Sequence, residues 1–466
     1  MVFTELRFLF FFLVVFVLHW TLSGATSRKV LLLISSYVFY SAWDWRFASL
    51  LLLSTVIDYW VARAIEREPA DRRRKGWLTI SLLANLGILG FFKYFNFFVQ
   101  SGAGFLGWLG LPVDVPTLSI VLPLGISFYT FQTMSYTLDV YRRKLRAAGP
   151  LDFAVFVAFF PQLVAGPIVR ASDFLPQLTT LRRWADVVVR PALTLFLVGY
   201  IKKACVADNI APIVDTYFAA PATFTASAAV LAVMLYAVQI YCDFSGYSDM
   251  AIGTARLLGY DLCRNFDAPY LSASVTEFWR RWHISLSTWL RDYLYITLGG
   301  NRGPAWMTYR NLMLTMLLGG LWHGAAWTFV VWGALHGLAL ATERALGIGA
   351  LAHGWRRLVR VPLTFWWVCV TWIFFRADGF PAAMITLKSF VLWDSPGTRS
   401  LPPFLYGVVA ALAAVHVLTR LLHRDERPDA TTRLPAWGYA VAYGAAFALA
   451  TAALPLQYRP FIYFQF

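Results

Sequence analysis

The apolar stretch LLGGLWHGAAWTFVVWGALHG, residues 317–337, indicates the class of fold to which this chain belongs. It contains no acidic residue, lysine or arginine, and apolar residues continue on both sides of it. A helix of about 20 apolar residues crosses a hydrocarbon core that is about 30 Å thick. We therefore predict two membrane-spanning helices, 308–322 and 325–344, that adjoin at His323.

Similar apolar runs recur along the rest of the chain, and we expect about 11 to 13 membrane passes. The segment 152–169 contains Pro161, Gly166 and Pro167. It is predicted to be broken or re-entrant, because irregular backbone survives at membrane depth only where protein or water satisfies it. The remaining predicted spans are 7–24, 29–43, 47–66, 77–99, 118–140, 186–204, 225–244, 359–375, 402–421 and 435–455.

The composition agrees with an all-α polytopic membrane protein. Hydrophobic residues make up 59% of the 466 residues and charged residues only 14%, where a soluble domain has about 25% charged residues. Disorder, a coiled coil and a disulfide scaffold are excluded, and the scattered cysteines include no CxxC pair. The first apolar run is predicted to be a retained helix.

We expect one integral-membrane domain over 1–466, with N-terminal helices in 1–117, a core in 118–345 and C-terminal helices in 346–466.

The net charge of +15 is concentrated in loops between the predicted spans. The densest basic run is REPADRRRK, residues 67–75. By the positive-inside rule this loop faces the cytoplasm, and counting back three passes places the N-terminus outside. The charge is thus explained by membrane topology and attraction to anionic lipid headgroups, and nucleic acid is not needed as a partner.

His323 is the strongest candidate for chemistry. An ionisable residue within a membrane is costly and indicates function. Gly319, Gly320 and Gly324 flank it, so a backbone or a substrate can approach closely, and Trp322 and Trp327 suggest a pocket. The alternative is a packing histidine. His336 lies too far along a continuous helix to form a metal pair with His323, and a structural role is favoured for it.

The segment TEFWRRWHISLSTWLRDY, residues 276–293, is the second candidate site. As one helix, it would place Arg280, His283, Ser287 and Arg291 on one stripe, opposite Phe278, Trp282 and Trp289. Glu277 and Arg281 form an i,i+4 pair. One interpretation is an amphipathic anchor at the membrane surface. The other is a basic wall, including Arg281, that binds an anionic donor such as coenzyme A or a phosphopantetheine group.

Several other motifs carry little information. The chain has neither a GxSxG elbow nor a Walker A motif, and GAGFLG at 102–107 matches a dinucleotide motif only by chance. The segment YCDFSGYSDMAIG, residues 241–253, is polar and rich in glycine. Its Asp243 and Asp249 either bind a ligand or terminate the preceding helix, and termination is favoured.

These features favour general-base catalysis. A buried, neutral histidine without a nucleophile of its own would deprotonate an acceptor hydroxyl while that oxygen attacks an activated acyl group.

The same segments carry a resemblance to the membrane-bound O-acyltransferase superfamily, and within it to the membrane subunits that O-acetylate alginate. The combination of FWRRWHISLSTWLRDY with LWHGAAW is the most specific part. The matching stretches are LPLGISFYTFQTMSYTLDVYR (122–142), FVAFFPQLVAGPIVR (156–170), QIYCDFSGYSDMAIG (239–253), NFDAPYLSASVTEFWRRWHISLSTWLRDYLYITLGGNR (265–302) and GGLWHGAAWTFVVWGALHG (319–337), with fainter traces in WIFFRAD (372–378) and PFIYFQF (460–466).

The resemblance implies a ring of transmembrane helices, with re-entrant or interfacial helices, around a central funnel. It assigns His323 as the catalytic histidine and His283 as its polar partner. It further implies a bacterial inner-membrane location, a cytoplasmic thioester donor such as acetyl-CoA with no tightly bound cofactor, and a periplasmic SGNH-hydrolase-like partner that acetylates an exported polysaccharide.

Two alternatives stay open on the sequence. A related group of the superfamily transfers D-alanyl groups from an acyl carrier protein to teichoic acid. The second alternative is a non-enzymatic transporter or scaffold for exopolysaccharide assembly. Against a transporter, the chain lacks the repeated halves of many transporters and concentrates its polar membrane residues between 239 and 337.

Overall fold

A computed structural model of the chain describes residues 1–348, 354–422, 433–455 and 461–462. The described part is helical, and its only β pairing is an isolated bridge between Phe224 and Arg399. It divides into two compact units, Met1–Val189 with Thr254–Cys263, and Arg190–Gly253 with Arg264–Phe466. The prediction of an all-α polytopic membrane protein is confirmed.

The first unit contains the helices of the N-terminal part of the chain. Helix α3 packs against α4 and α6 around the buried carboxylate of Asp58, which accepts hydrogen bonds from Ser81 (2.5 Å) and Asn85 (2.8 Å). The helices are α1 (Leu6–Thr21), α2 (Ala25–Asp44), α3 (Ala48–Arg67), α4 (Asp71–Leu89), α5 (Phe95–Trp108), α6 (Ile126–Tyr141), α7 (Pro150–Ala158), α8 (Phe160–Leu163) and α9 (Ala171–Thr179).

The second unit carries both candidate segments. Its π-helical turns, Ile201–Ala207 and Leu290–Tyr295, follow α10 and α14. The helices are α10 (Val189–Tyr200), α11 (Asp208–Ala219), α12 (Ala226–Leu257, whose last turn belongs to the first unit), α13 (Val275–Trp279), α14 (Ile284–Trp289), α15 (Ala305–His323), α16 (Trp327–Ala345), α17 (Trp355–Arg376), α18 (Gly379–Leu392), α19 (Phe404–Leu422) and α20 (Ala436–Ala452).

Every predicted span overlaps a helix, with some differences in extent. The chain between α5 and α6 is extended, so the span predicted from residue 118 begins as a helix only at Ile126. The segment 152–169 is broken at Phe159, between α7 and α8, as predicted. Helices α11 and α18 were not among the predicted spans.

Length and apolar composition alone qualify five helical stretches of the described chain to cross a membrane. They are Ala25–Arg67, Asp71–Trp108, Ala226–Leu257, Trp355–Arg376 and Phe404–Leu421. The chain is therefore a multi-pass membrane protein, while the total of 11 to 13 passes stays a prediction.

Candidate active site

His323 is the last residue of α15. The helix ends there because Gly324 is extended, with φ −156° and ψ 150°. A Cβ atom on Gly324 would lie 2.1 Å from the Phe329 ring, so a side chain is excluded at this position. The termination leaves the imidazole at the junction between α15 and α16, where it is 3% exposed.

Helices α15 and α16 approach each other through glycines. A Cβ atom on Gly320 would lie 2.2 Å from the Phe329 carbonyl oxygen, and one on Gly333 would lie 2.3 Å from the Met316 carbonyl oxygen. The predicted close approach of a second backbone near His323 is thus confirmed. It fixes the imidazole between two helices whose positions allow almost no adjustment.

Three rings, which we call the aromatic cage, surround His323. Their centroids lie 5.1 Å (Trp322), 5.0 Å (Trp332) and 5.3 Å (Phe375) from the imidazole centroid. Trp322 was predicted to belong to the pocket, whereas Trp327 is 54% exposed and its place in the pocket stays a prediction. Trp327 begins α16, and the turn of the helix places Trp332 on a different face.

His283 lies between α13 and α14 in the left-handed conformation, with φ 43° and ψ 54°. The single helix predicted over 276–293 is therefore wrong. The left-handed region costs a non-glycine residue about 1–2 kcal/mol, and contacts with Asn265 offset this cost. The Asn265 carbonyl accepts the Ile284 N–H at 2.9 Å, and its side-chain oxygen accepts the Ser285 N–H at 3.2 Å.

The same side-chain oxygen of Asn265 lies 3.1 Å from His283 Nδ1 and orients the ring. Phe244 packs edge-on against this imidazole at 4.6 Å between centroids. The ring is fully buried, and burial lowers the pKa of His283 to about 3, so the imidazole is neutral at physiological pH. His283 and His323, the two histidines singled out from the sequence, lie together with centroids 6.5 Å apart.

The basic residues of this segment are not aligned with His283. Arg280 is exposed, Ser287 is half-buried, and Arg291 is exposed and pairs with Asp292 at 2.6 Å. The predicted stripe does not form because the chain breaks at His283. The expected pair between Glu277 and Arg281 does form, at 2.7 Å.

Sequence reasoning missed the wider role of Glu277. The Ser274 hydroxyl accepts the Glu277 N–H (3.0 Å), and the Glu277 carboxylate accepts the Ala273 N–H (2.7 Å), an arrangement like a capping box that begins α13. The same carboxylate also binds Arg357 of α17 at 3.1 Å. The S-x-x-E spacing of Ser274 and Glu277 was the available signal.

Asp243 and Asp249 do not end a helix, because α12 continues to Leu257. The favoured interpretation of these residues was therefore wrong. Asp249 pairs with Lys202 at 2.7 Å. Lys203 is buried between Asp243 and Asp208, with its Nζ 2.6 Å from an oxygen of each. The adjacent lysines within an otherwise apolar span could have predicted these acidic partners.

Close backbone packing brings the lysines to α12. A Cβ atom on Gly246 would lie 2.6 Å from the Gly199 carbonyl oxygen and 2.9 Å from the Lys203 N atom. Asp243 precedes Phe244, the residue that packs on His283, and its second oxygen accepts the Ile462 N–H at 2.8 Å. The buried ion pairs therefore anchor one wall of the site.

His336 is fully buried one helical turn after Trp332. The indole N–H of Trp279 donates to its Nδ1 at 3.2 Å. Among the residues that the structure describes, no group of three or more His, Cys, Asp or Glu side chains is arranged to hold a metal ion.

The arrangement can take a proton in a water-excluded environment. His323 is enclosed by aromatic rings, and the neighbouring His283 is neutral and held by Asn265. Such a site suits proton transfer from a hydroxyl group to an imidazole next to an acyl donor.

Comparison with known proteins agrees with this chemistry. The model of the MBOAT, membrane-bound O-acyltransferase family, matches residues 30–348. The chain is 49% identical over 393 residues to the probable alginate O-acetylase AlgI of Azotobacter vinelandii, covering 82% of this chain and 76% of the relative.

Two further relatives have different acceptors in their names. The peptidoglycan O-acetyltransferase of Helicobacter pylori is 37% identical over 414 residues, covering 82% of this chain and 77% of the relative. The teichoic acid D-alanyltransferase of Bacillus subtilis is 26% identical over 291 residues, covering 57% of this chain and 71% of the relative.

Proposed function

We propose, because the chain belongs to the membrane-bound O-acyltransferase family, that it moves acetyl groups from a cytoplasmic thioester to an exported polysaccharide. The observation that carries the proposal is a buried pair of histidines with ring centroids 6.5 Å apart. His323 lies at the junction of α15 and α16, and His283 lies between α13 and α14. The family establishes O-acyl transfer, and the donor, acceptor and direction are our inference.

In the proposed reaction His323 is the general base. It takes the proton of the acceptor hydroxyl while that oxygen attacks the thioester carbonyl carbon. The aromatic cage excludes water, which would otherwise hydrolyse the donor. His283, oriented by Asn265 and kept neutral by burial, lines the site as the polar partner of His323.

Acetyl-CoA is the proposed donor. The exposed guanidinium group of Arg280 is suited to its phosphates, and Arg291, which is also exposed, would exchange its contact with Asp292 for them. Arg281 is engaged by Glu277, while Asp243 and Asp249 are neutralised by lysines, so these three support the walls of the site in this proposal.

Alginate or a similar exported polysaccharide is the proposed acceptor, reached through a periplasmic SGNH-hydrolase-like partner. The alginate relative supports this choice, because it matches more closely than the peptidoglycan relative and over far more of the chain than the teichoic acid relative. In this proposal the chain lies in the bacterial inner membrane with its N-terminus in the periplasm.

The test is transfer by the purified full chain in proteoliposomes. Acetyl-labelled acetyl-CoA is supplied on one side, and a candidate SGNH-hydrolase-like protein with an alginate oligosaccharide on the other. We expect label on the acceptor side with wild type and its loss with His323→Gln. His19→Gln, which changes a buried histidine in the first unit, is the matched control and is expected to retain transfer.

Other outcomes would contradict the proposal in distinct ways. Label that moves only from an acyl carrier protein would favour a donor of the D-alanyl-transfer type. Full transfer by His323→Gln would reject His323 as the base. If the wild type transfers label from neither donor to any acceptor, the result would favour a scaffold.

A further inference from the structure

We infer that Trp332 and His336 form the oxyanion hole of this site, with the indole Nε1–H and the imidazole Nε2–H as its two donors. The inference rests on the proposed function and adds the groups that bind the reacting carbonyl oxygen. Acyl transfer develops negative charge on that oxygen, and fixed N–H donors lower the barrier when they are aimed at it in a water-excluded site.

The tautomer of His336 follows from its contact with Trp279. Trp279 Nε1 can only donate, and it donates to His336 Nδ1 at 3.2 Å. The accepting nitrogen therefore carries no proton. Since an imidazole ring keeps at least one proton on its nitrogens, that proton is on Nε2. His336 consequently presents an N–H donor on the side opposite Trp279.

Both proposed N–H donors are buried without a hydrogen-bond acceptor among the described residues. Within the described part of the chain, neither Trp332 Nε1 nor His336 Nε2 has a hydrogen-bond partner, and both residues are fully buried. An unsatisfied buried polar atom costs about 1–3 kcal/mol, and native proteins keep few of them unless they have a role. Two such donors on neighbouring residues indicate a ligand that accepts hydrogen bonds.

Geometry places this pair next to the proposed base. The Trp332 centroid lies 4.8 Å from that of His336 and 5.0 Å from that of His323. Residues 332 and 336 are four apart on α16 and share one face of the helix. The close packing of Gly333 against Met316 holds this face against α15, so the donors are positioned before substrate binds.

His323 takes the acceptor hydroxyl proton, the new C–O bond forms, and the carbonyl π electrons move to the oxygen held by the two N–H groups. As the carbonyl re-forms, the C–S bond breaks, and the leaving sulfur takes the proton from His323. Neither donor gives up its proton.

The experiment compares Trp332→Phe and His336→Leu with wild type, using purified full chain in nanodiscs, acetyl-CoA and the acceptor used above. Each change removes one N–H group, and we expect kcat to fall about 100- to 1000-fold. KM and the affinity for a thioether analogue of acetyl-CoA should stay within about twofold, because the donors act mainly in the transition state. His336→Gln retains a side-chain N–H and should recover part of the loss.

Trp306→Phe, an exposed tryptophan of α15, is the matched control and should leave kcat unchanged. If the wild type is active and Trp332→Phe has the same kcat, the inference is overturned and the proposed function is not. A fall in kcat together with lost analogue binding also overturns it, since the two residues would then merely hold the fold. A wild type that transfers acetyl to no acceptor overturns the proposed function and the inference together.

Discussion

His283 has an unfavourable backbone conformation that contacts with Asn265 help to stabilise. Asn265 supplies a side-chain oxygen to His283 Nδ1, the Ser285 N–H and the Ser285 hydroxyl, at 3.1, 3.2 and 3.0 Å. The sequence indicated that His283 was important but could not predict its conformation. A left-handed histidine is set by partners distant in sequence, and helix periodicity contains no signal for it.

We expect Asn265→Ala to release this ring. The change removes the acceptor that Asn265 offers to His283 and Ser285, at a cost of about 1–3 kcal/mol, and it should lower acetyl transfer at least tenfold. Ser285→Ala removes only one of the donors and should have a smaller effect. The loss of stability is measured as the thermal unfolding midpoint in detergent, and the loss of activity as the rate of acetyl transfer. Equal effects of Asn265→Ala and Ser285→Ala would contradict this role of Asn265.

Gly324→Ala should be among the most disruptive small substitutions in the chain. The new methyl group would lie 2.1 Å from the Phe329 ring, so α16 would have to move away from His323. We expect lower thermal stability and little transfer, with partial recovery in the double variant that also carries Phe329→Ala. Gly87→Ala on α4, where a Cβ meets open space, is the matched control. Wild-type behaviour of Gly324→Ala would show that the junction is not rigid.

Among the helices, α13 is too short to be stable by itself and depends on Glu277. Glu277 accepts an N–H at the start of α13 and pairs with Arg281 and with Arg357 of α17. Neutralising the buried carboxylate would leave the partly exposed guanidinium groups of Arg281 and Arg357 without their common counterion.

Glu277→Gln is therefore expected to destabilise the protein by about 1–3 kcal/mol, seen as a lower unfolding midpoint in detergent. Asp186→Asn breaks an exposed pair with Arg183 and should produce no measurable change, since solvent screens that pair. Similar midpoints for the two variants would mean that Glu277 does not hold α13 to α17.

Most long helices could be predicted because each of them coincides with an apolar run in the sequence. The apolar runs located α15, α16 and α17 to within a few residues. Polar sequence inside a helix was harder to interpret. YCDFSGYSDMAIG looked like a helix end, yet α12 continues because Lys202 and Lys203 neutralise its aspartates. Such pairing depends on tertiary contacts.

The membrane topology of the whole molecule is open to direct test. The positive-inside rule places the loop 67–75 in the cytoplasm and the loop between α2 and α3 outside. With the exposed native cysteine Cys263 replaced by serine, we expect Arg46→Cys to react with an impermeant maleimide on intact spheroplasts. Arg72→Cys should react only after permeabilisation. The reverse pattern would invert the orientation and with it the proposed direction of acetyl transfer.

The buried ion pairs also set a requirement on biosynthesis. Lys202 and Lys203 leave the ribosome before α12, which carries Asp243 and Asp249, so Lys202 enters the translocon before its counterion exists and Lys203 enters with only Asp208. Stable integration of α10 therefore depends on the arrival of α12. We expect Asp243→Asn with Asp249→Asn to reduce the fraction of newly made chain that resists alkaline extraction, and an unchanged fraction would show that α10 integrates without α12.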